Sequence, residues 1–302
     1  MDKRTMRKIA LHWESYAMLL PVLLYFLIFH YWPMYGVQIA FKNFSPRKGI
    51  TGSEWVGFTH FERFFDSYYF SRLLFNTVGI SLYELIVAFP IPILLALMIN
   101  EVRSARFKKT VQTVTYAPYF LSTVVLVGMM STFLAPNTGI VNHALSWFGI
   151  QPIAFLNEPS WFKTLFVGSH VWQNAGWGSI IYIAALTNID SHLHESAMID
   201  GASRLKRIWH INIPGIMPTI MILFILQIGS IMSIGFEKVF LMQNDLNREA
   251  SDVFATYVYR SGILGAQYSF SAAVGLFNSF INLVLLLSVN RAARRLGGNS
   301  LW

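Results

Sequence analysis

Six stretches of about 20 residues poor in charge, at 16–37, 74–99, 112–134, 164–187, 215–236 and 270–290, alternate with short polar segments along the chain. That is the length an α-helix needs to cross the hydrocarbon of a bilayer. The pattern predicts an all-α, polytopic membrane protein with six transmembrane helices. Two stretches are not plain lipid-facing helices, because 74–99 carries Glu84, Pro90 and Pro92 while 164–187 carries His170, Gln173 and Asn174. Polar groups at such depth are expected to face protein or water. The proline pair predicts a kink that frees backbone groups, serving either gating or packing. Glu84 is expected in a helix contact, satisfied by a neighbour or held neutral by apolar surroundings.

Composition narrows the class further. Of 302 residues, 54% are hydrophobic and only 13% charged, about half the charge of a soluble domain, and the mean hydropathy is +0.47. Soluble enzymes and nucleic-acid binders are excluded. The absence of cysteine removes disulfides, thiolate nucleophiles and cysteine metal sites. The basic segment Met1 to Lys8 leads into an apolar run and resembles a secretory signal. The run from Tyr16 to Val37 is longer than a signal's apolar region and no Ala-x-Ala site follows, so it is expected to stay attached.

The net charge is +8, and its distribution gives an orientation. Placing both termini in the cytoplasm puts 14 of the 23 Lys and Arg on the inner side, in the shorter segments, as the positive-inside rule requires. The cluster Arg103, Arg106, Lys108, Lys109 and the tail Arg291, Arg294, Arg295 then lie at inner ends of spans, where anionic headgroups attract them. Outside lies a loop rich in aromatics, including Phe58, Phe61, Phe64, Phe65, Tyr68 and Tyr69. No hydrophilic region is long enough for a separate domain, and repeats are absent, so one membrane domain is expected.

The inner segment 188–214 carries the most information. Asp190 or Ser191 can cap a helix, after which Met198, Ala202, Leu205 and Trp209 fall on one helical face. Asp200 can pair with Arg204 at i+4, Gly201 allows a bend, and Pro214 is expected to end the element. Such an amphipathic helix either lies in the headgroups or fits a groove in a cytoplasmic partner.

Within it, Glu195-Ser196-Ala197, Gly201, Ile211 and Ile213-Pro214 resemble the EAA loop of binding-protein-dependent ABC importer permeases. Glu195, Ala197, Gly201, Ile211 and Pro214 match the family in type and spacing. Ser196 stands where the family has Ala, and Ile213 where it has Leu. The resemblance runs from about residue 70 to 290. Asn76-Thr77, Leu95-Ala96-Leu97 before Asn100, and Trp177-Gly178 are similar to its carbohydrate-uptake branch; Trp32-Pro33, Phe89 to Pro92 and Asn100 to Val102 are similar to permeases for polysaccharide-derived oligosaccharides.

The resemblance implies a type I ABC importer transmembrane domain over 70–290, after a cytoplasmic tail at 1–15 and a first helix with outer loop at 16–69, and before a cytoplasmic tail at 291–302. It implies a multi-pass protein of the bacterial cytoplasmic membrane. The loop would be the coupling helix that docks on a separate ATPase, with Glu195, Ser196, Ala197, Asp200, Gly201, Ala202, Ile211 and Pro214 as its coupling residues. Partners implied are two ATP-binding subunits, a second and non-identical permease, and an extracytoplasmic solute-binding protein.

Sugars are held by aromatic faces with amide and carboxylate groups, so Trp172, Gln173, Asn174, Gln227 and Glu237 form the candidate substrate pathway. Gln227, Ser230, Ser233 and Glu237 are spaced to share one helical face, for which interhelical hydrogen bonding is the plainer reading. No G-x-x-x-x-G-K-[ST] loop, H-E-x-x-H or G-x-S-x-G occurs. The chain is therefore expected to have no catalytic residues, metal site or cofactor of its own, with ATP and Mg on the partner. The rival reading is an ion-coupled secondary transporter using Glu84 and Glu237, and a membrane scaffold comes after it; neither accounts for the loop motif.

Overall fold

The computed structural model describes residues 12–295; the basic segment Met1 to Lys8 and the tail beyond Arg295 lie outside it. The chain expected as one domain divides into two compact units, one comprising the chain up to Asp66 with Arg260–Leu276, the other Ser67–Tyr259 with the chain from Phe277 on.

In the first unit, α1 (Trp13–Phe26) continues through a π turn and a 3-10 turn to Phe41, a 29-residue apolar run with none of its spanning window buried. Two short antiparallel strands, β1 (Lys42–Asn43) and β2 (Glu54–Trp55), follow. The aromatics of this segment, expected as interface anchors, build a small core of their own. Phe41 stacks on Trp55 with centroids 5.7 Å apart, Phe64 is fully buried, and the Arg63 guanidinium lies 4.6 Å from the Phe270 ring centroid.

The second unit is a helical bundle. Its helices are α2 (Tyr68–Val87), α3 (Pro90–Asn100), α4 (Ala105–Tyr116), α5 (Thr123–Phe133), α6 (Ile140–Ser146), α7 (Pro159–Thr187), α8 (Ser191–Ile199), α9 (Arg204–Arg207), α10 (Ile213–Gly229), α11 (Phe236–Met242) and α12 (Tyr268–Arg295), the last continuing out of the first unit. Prolines start α3 and α7, where the missing N–H has no helical partner to lose. α2 and α3 are interrupted at Ala88 and Phe89, whose dihedrals stay helical, where Pro90 and Pro92 begin α3 and Tyr68–Asn100 runs on as one span.

Among the described residues, four helical runs are long and apolar enough to cross a membrane: Trp13–Phe41, Tyr68–Asn100, Arg204–Gly229 and Tyr268–Arg295. The predicted span 112–134 is not one straight helix, because α4 and its 3-10 extension meet α5 at 100°, and the pair makes a fifth span only if counted together. Pro118 and the Ser122 cap of α5, which accepts from the Val125 N–H at 3.3 Å, cause the bend. The predicted span 164–187 is α7, long enough at 29 residues but diluted by His170, Gln173 and Asn174. By length and composition the six expected spans are thus four or five.

Candidate functional site

The loop at 188–214 is two capped helices rather than one. The Asp190 carboxylate accepts from the His192 N–H at 2.9 Å and starts α8. The helix stops after Ile199: the Ala202 N–H donates to the Ala197 carbonyl at 2.8 Å and the Gly201 N–H to Met198 at 3.1 Å, with Gly201 at φ +76°. This is a Schellman stop, and it gives the motif's Ala-to-Gly spacing a physical cause, since the left-handed residue must come four positions after the residue whose carbonyl closes the turn. Gly201 is therefore a terminator and not a mid-helix bend. Ser203 starts α9, accepting from the Lys206 N–H at 3.4 Å.

Three expectations fall with the single helix. Met198, Ala202, Leu205 and Trp209 do not share one helical face, because the helix breaks between Ile199 and Arg204. No ion pair joins Asp200 to Arg204 among the described residues, because the residues between them are not helical. Pro214 does not end the element: the chain runs helically from Arg204 to Gly229, through a π turn at Ile208–Asn212, and Pro214 sits in the first turn of α10. A proline is tolerated there.

The loop's two ends are joined at their base. Ile189, Ile208, Ile213 and Ile216 pack with Ala96, Leu97, Tyr182 and Leu186 in one apolar cluster. A Cβ on Gly215 would stand 2.6 Å from Ile189 Cδ1, so the glycine is what allows that packing. On this base Glu195, Ser196 and Asp200 are exposed, Ala197, Ala202 and Ile211 half-buried. The Glu195 Oε2 lies 3.6 Å from His192 Nδ1.

The substrate-pathway candidates converge in part. The expected shared face of Gln227, Ser230, Ser233 and Glu237 does not exist, since α10 ends at Gly229 and the chain turns irregularly to Gly235 before α11. Such backbone within a membrane protein needs partners, and side chains supply them. Met232 N–H donates to Asn282 Oδ1 at 2.9 Å, Asn282 Nδ2 donates to Ser233 Oγ at 3.0 Å, Asn278 Nδ2 donates to the Met232 carbonyl at 3.3 Å, and Ser81 Oγ donates to the Ile231 carbonyl. The break nonetheless delivers all four residues to one cavity of about 310 Å³, whose wall also holds Gln173, Glu84, His170 and Lys238.

Glu84 meets the neighbour the sequence left unnamed, as its Oε1 lies 3.2 Å from His170 Nε2. Lys238 is buried, donates to the Phe166 carbonyl at 2.9 Å and stands 4.7 Å from the Phe166 ring centroid. Gln173 Nε2 donates to the Leu121 carbonyl at 2.8 Å. Asn174 donates to the His170 carbonyl at 3.0 Å and lines an adjoining cavity of about 360 Å³, which shares His170, Gln227 and Ser230. Trp172 is not part of either; it lines an apolar groove elsewhere on α7, because neighbouring helix residues point about 100° apart. Trp177, in the same helix, stacks on Tyr119 with centroids 4.5 Å apart.

The residues the sequence list omitted are Lys238 and His170, both legible as ionisable groups near membrane depth. The wall offers carboxylate and amide acceptors beside ammonium and imidazole donors, which suits a polyhydroxylated solute. Among the described residues no group of three or more His, Asp or Glu converges to hold a metal. Towards the other end, Asn76 donates to the Glu249 and Asp252 carbonyls at 2.8 and 3.1 Å, and Thr77 Oγ1 accepts from the Phe254 N–H at 3.4 Å. Asn76-Thr77 thus clasps the segment between α11 and α12.

Comparison with known proteins agrees with this arrangement. The chain is 45% identical over 287 residues to Protein LplB of Bacillus subtilis, covering 95% of this chain and 90% of that one. It is 44% identical over 300 residues to the polygalacturonan/rhamnogalacturonan transport system permease protein YteP of the same organism, covering 99% and 94%. A chain in a crystal structure of a bacterial ABC transporter that imports the acidic polysaccharide alginate superposes with a TM-score of 0.90 at 44% identity, covering 97% of this chain and 99% of that one. A profile of the family described as binding-protein-dependent transport system inner membrane component matches residues 88–298. The chain belongs to that family, as a multi-pass permease of the membrane.

Proposed function

We propose that this chain is the membrane-spanning subunit of an ATP-driven importer for oligosaccharides rich in uronic acids. The polar cavity on the break after α10 carries the reading, because it gathers Glu84, Gln173, Gln227, Glu237 and Lys238 inside an otherwise apolar bundle. Relatives named for polygalacturonan/rhamnogalacturonan and alginate transport point to carboxylated sugars. Lys238 is the cation of that cavity wall, and buried charge near a carboxylated solute acts strongly.

In this reading both termini are cytoplasmic, the transport domain covers about residues 70–290, and the tails at 1–15 and 291–302 lie inside. Two ATP-binding subunits hold ATP and Mg, and the loop from Glu195 to Pro214 docks on them. Exposed Glu195 meets a basic group of the ATPase, half-buried Ala197 and Ala202 permit close approach, and the cluster at the loop's base passes the movement into α7 and α10. A non-identical permease completes the pathway, and a solute-binding protein, as in the complex with alginate pentasaccharide-bound periplasmic protein formed by a 42% identical neighbour, delivers the sugar outside. Ion-coupled transport is set aside by family membership.

The test is transport in proteoliposomes holding the co-purified complex. Glu195→Lys should keep ATP hydrolysis but lose uptake, and Glu237→Leu with Gln227→Leu should raise the KM for oligogalacturonate uptake while ATP hydrolysis continues. Wild-type uptake in both would refute the assignment.

A further inference from the structure

Trp172 leads to a second site. The groove it lines has a volume of about 420 Å³ and is walled by Met129, Met130 and Phe133 of α5, Val141 of α6, and Gly168 with Trp172 of α7. The wall is apolar almost throughout. The Ser169 hydroxyl within it already donates to the Leu165 carbonyl at 2.5 Å, with Phe166 at 3.0 Å, so it presents no free donor. No Asp, Glu, Lys or Arg occurs between Lys109 and Glu158, or between Lys163 and Asp190. Beyond the Thr164 hydroxyl and the Trp172 indole N–H, the lining offers a sugar no further free polar side chain. Gly168 keeps the groove open, as a Cβ on it would have nothing within 4 Å.

At its Val141 end the groove continues into a rigid hairpin. Asn142, only 4% exposed, donates to the Leu134, Ala135 and Ile153 carbonyls at 3.2, 3.1 and 3.0 Å and accepts from the Ile153 N–H at 2.9 Å. Gly149, at φ +74°, turns the chain. The fixed hairpin holds Trp147 and Phe148 out at 85% and 80% exposure, with no charge beside them. Aromatics so placed at the end of a spanning bundle suit the headgroup level of a bilayer.

We propose that the groove between α5 and α7 binds one acyl chain of a membrane phospholipid, with Trp147 and Phe148 resting among the headgroups beyond its end. The absence of charge and the volume of about 420 Å³ fit a single chain. The inference does not depend on the identity of the transported sugar.

The experiment uses the assembled transporter in bilayers of phosphatidylcholine brominated on the acyl chain, which quenches tryptophan on contact. Trp172→Phe isolates the share of fluorescence due to Trp172. That share should be quenched in the otherwise native protein, and the quenching should be lost in Gly168→Leu, which fills the groove; Val141→Phe, narrowing it from α6, should act alike if the leucine variant folds poorly. Gly168→Ala should quench as native. Absence of quenching of Trp172 would mean that protein covers the groove, as a second permease would, and would overturn the proposal. Equal quenching with the groove filled would reduce it to ordinary lipid contact and overturn it as well.

Discussion

Two glycines eight residues apart in α7 should respond oppositely to the same methyl group. At Gly176, an added Cβ would stand 2.0 Å from the Thr115 carbonyl oxygen and 2.4 Å from its carbon. Both atoms are backbone of α4, so no side chain can swing aside, and an ordinary contact requires the helices to part by more than 1 Å. Overpacking of this kind costs about 1–3 kcal/mol, and the upper end applies where only backbone can move. The gain in helix propensity from Gly to Ala, about 1 kcal/mol, offsets part of it. Gly176→Ala should therefore lose about 2 kcal/mol, whereas Gly168→Ala, with nothing within 4 Å, should gain about 1 kcal/mol. Small residues let membrane helices approach closely, and this approach also sets the Gln173 bond to Leu121. Thermal unfolding in detergent should separate the two variants by several degrees in opposite directions from the native protein, and uptake should fall only in Gly176→Ala. Equal stability of the two would refute the close-crossing argument.

Other substitutions probe the remaining contacts. Asn76→Leu removes its two hydrogen bonds to the Glu249 and Asp252 carbonyls, at about 1–3 kcal/mol each; limited proteolysis should cut the segment between α11 and α12 faster. Asp190→Ala should cost about 1 kcal/mol through the lost cap of α8, measured by thermal unfolding, while Asp190→Asn should retain most of it. Asn212 is fully buried in the π turn with neither side-chain amide atom partnered among the described residues, so Asn212→Leu should leave stability unchanged or raise it by about 1 kcal/mol; a loss of more than that would show an essential partner. Lys238→Met should lower uptake of a carboxylated oligosaccharide more than of its neutral, esterified form, and equal loss on both would remove Lys238 from recognition.

Much of this protein was legible before any coordinates. Hydrophobic length gave the membrane class because spanning a bilayer imposes a minimum apolar run, and the spacing of Glu195, Ala197, Gly201 and Pro214 marked the loop by its resemblance to a family motif, although Gly201 reads there as a bend and not as the helix stop it forms. Asp190, Pro90 and Pro92 likewise act locally, through one cap and one missing N–H. What the sequence could not supply was anything set by a distant partner. Whether α10 ends at Gly229 or runs on depends on the freed backbone finding partners, with Asn282 of α12 accepting from an N–H and Asn278 of α12 and Ser81 of α2 donating to carbonyls, so the sequence suggests a four-residue helical face where a break exists. The break brought those residues to one cavity all the same, by joining them to α2 and α7. Tertiary packing alone gave Glu84 its His170 partner and turned Trp172 away from the polar cavity, because adjacent residues of one helix face different neighbours and only the bundle decides which neighbours those are.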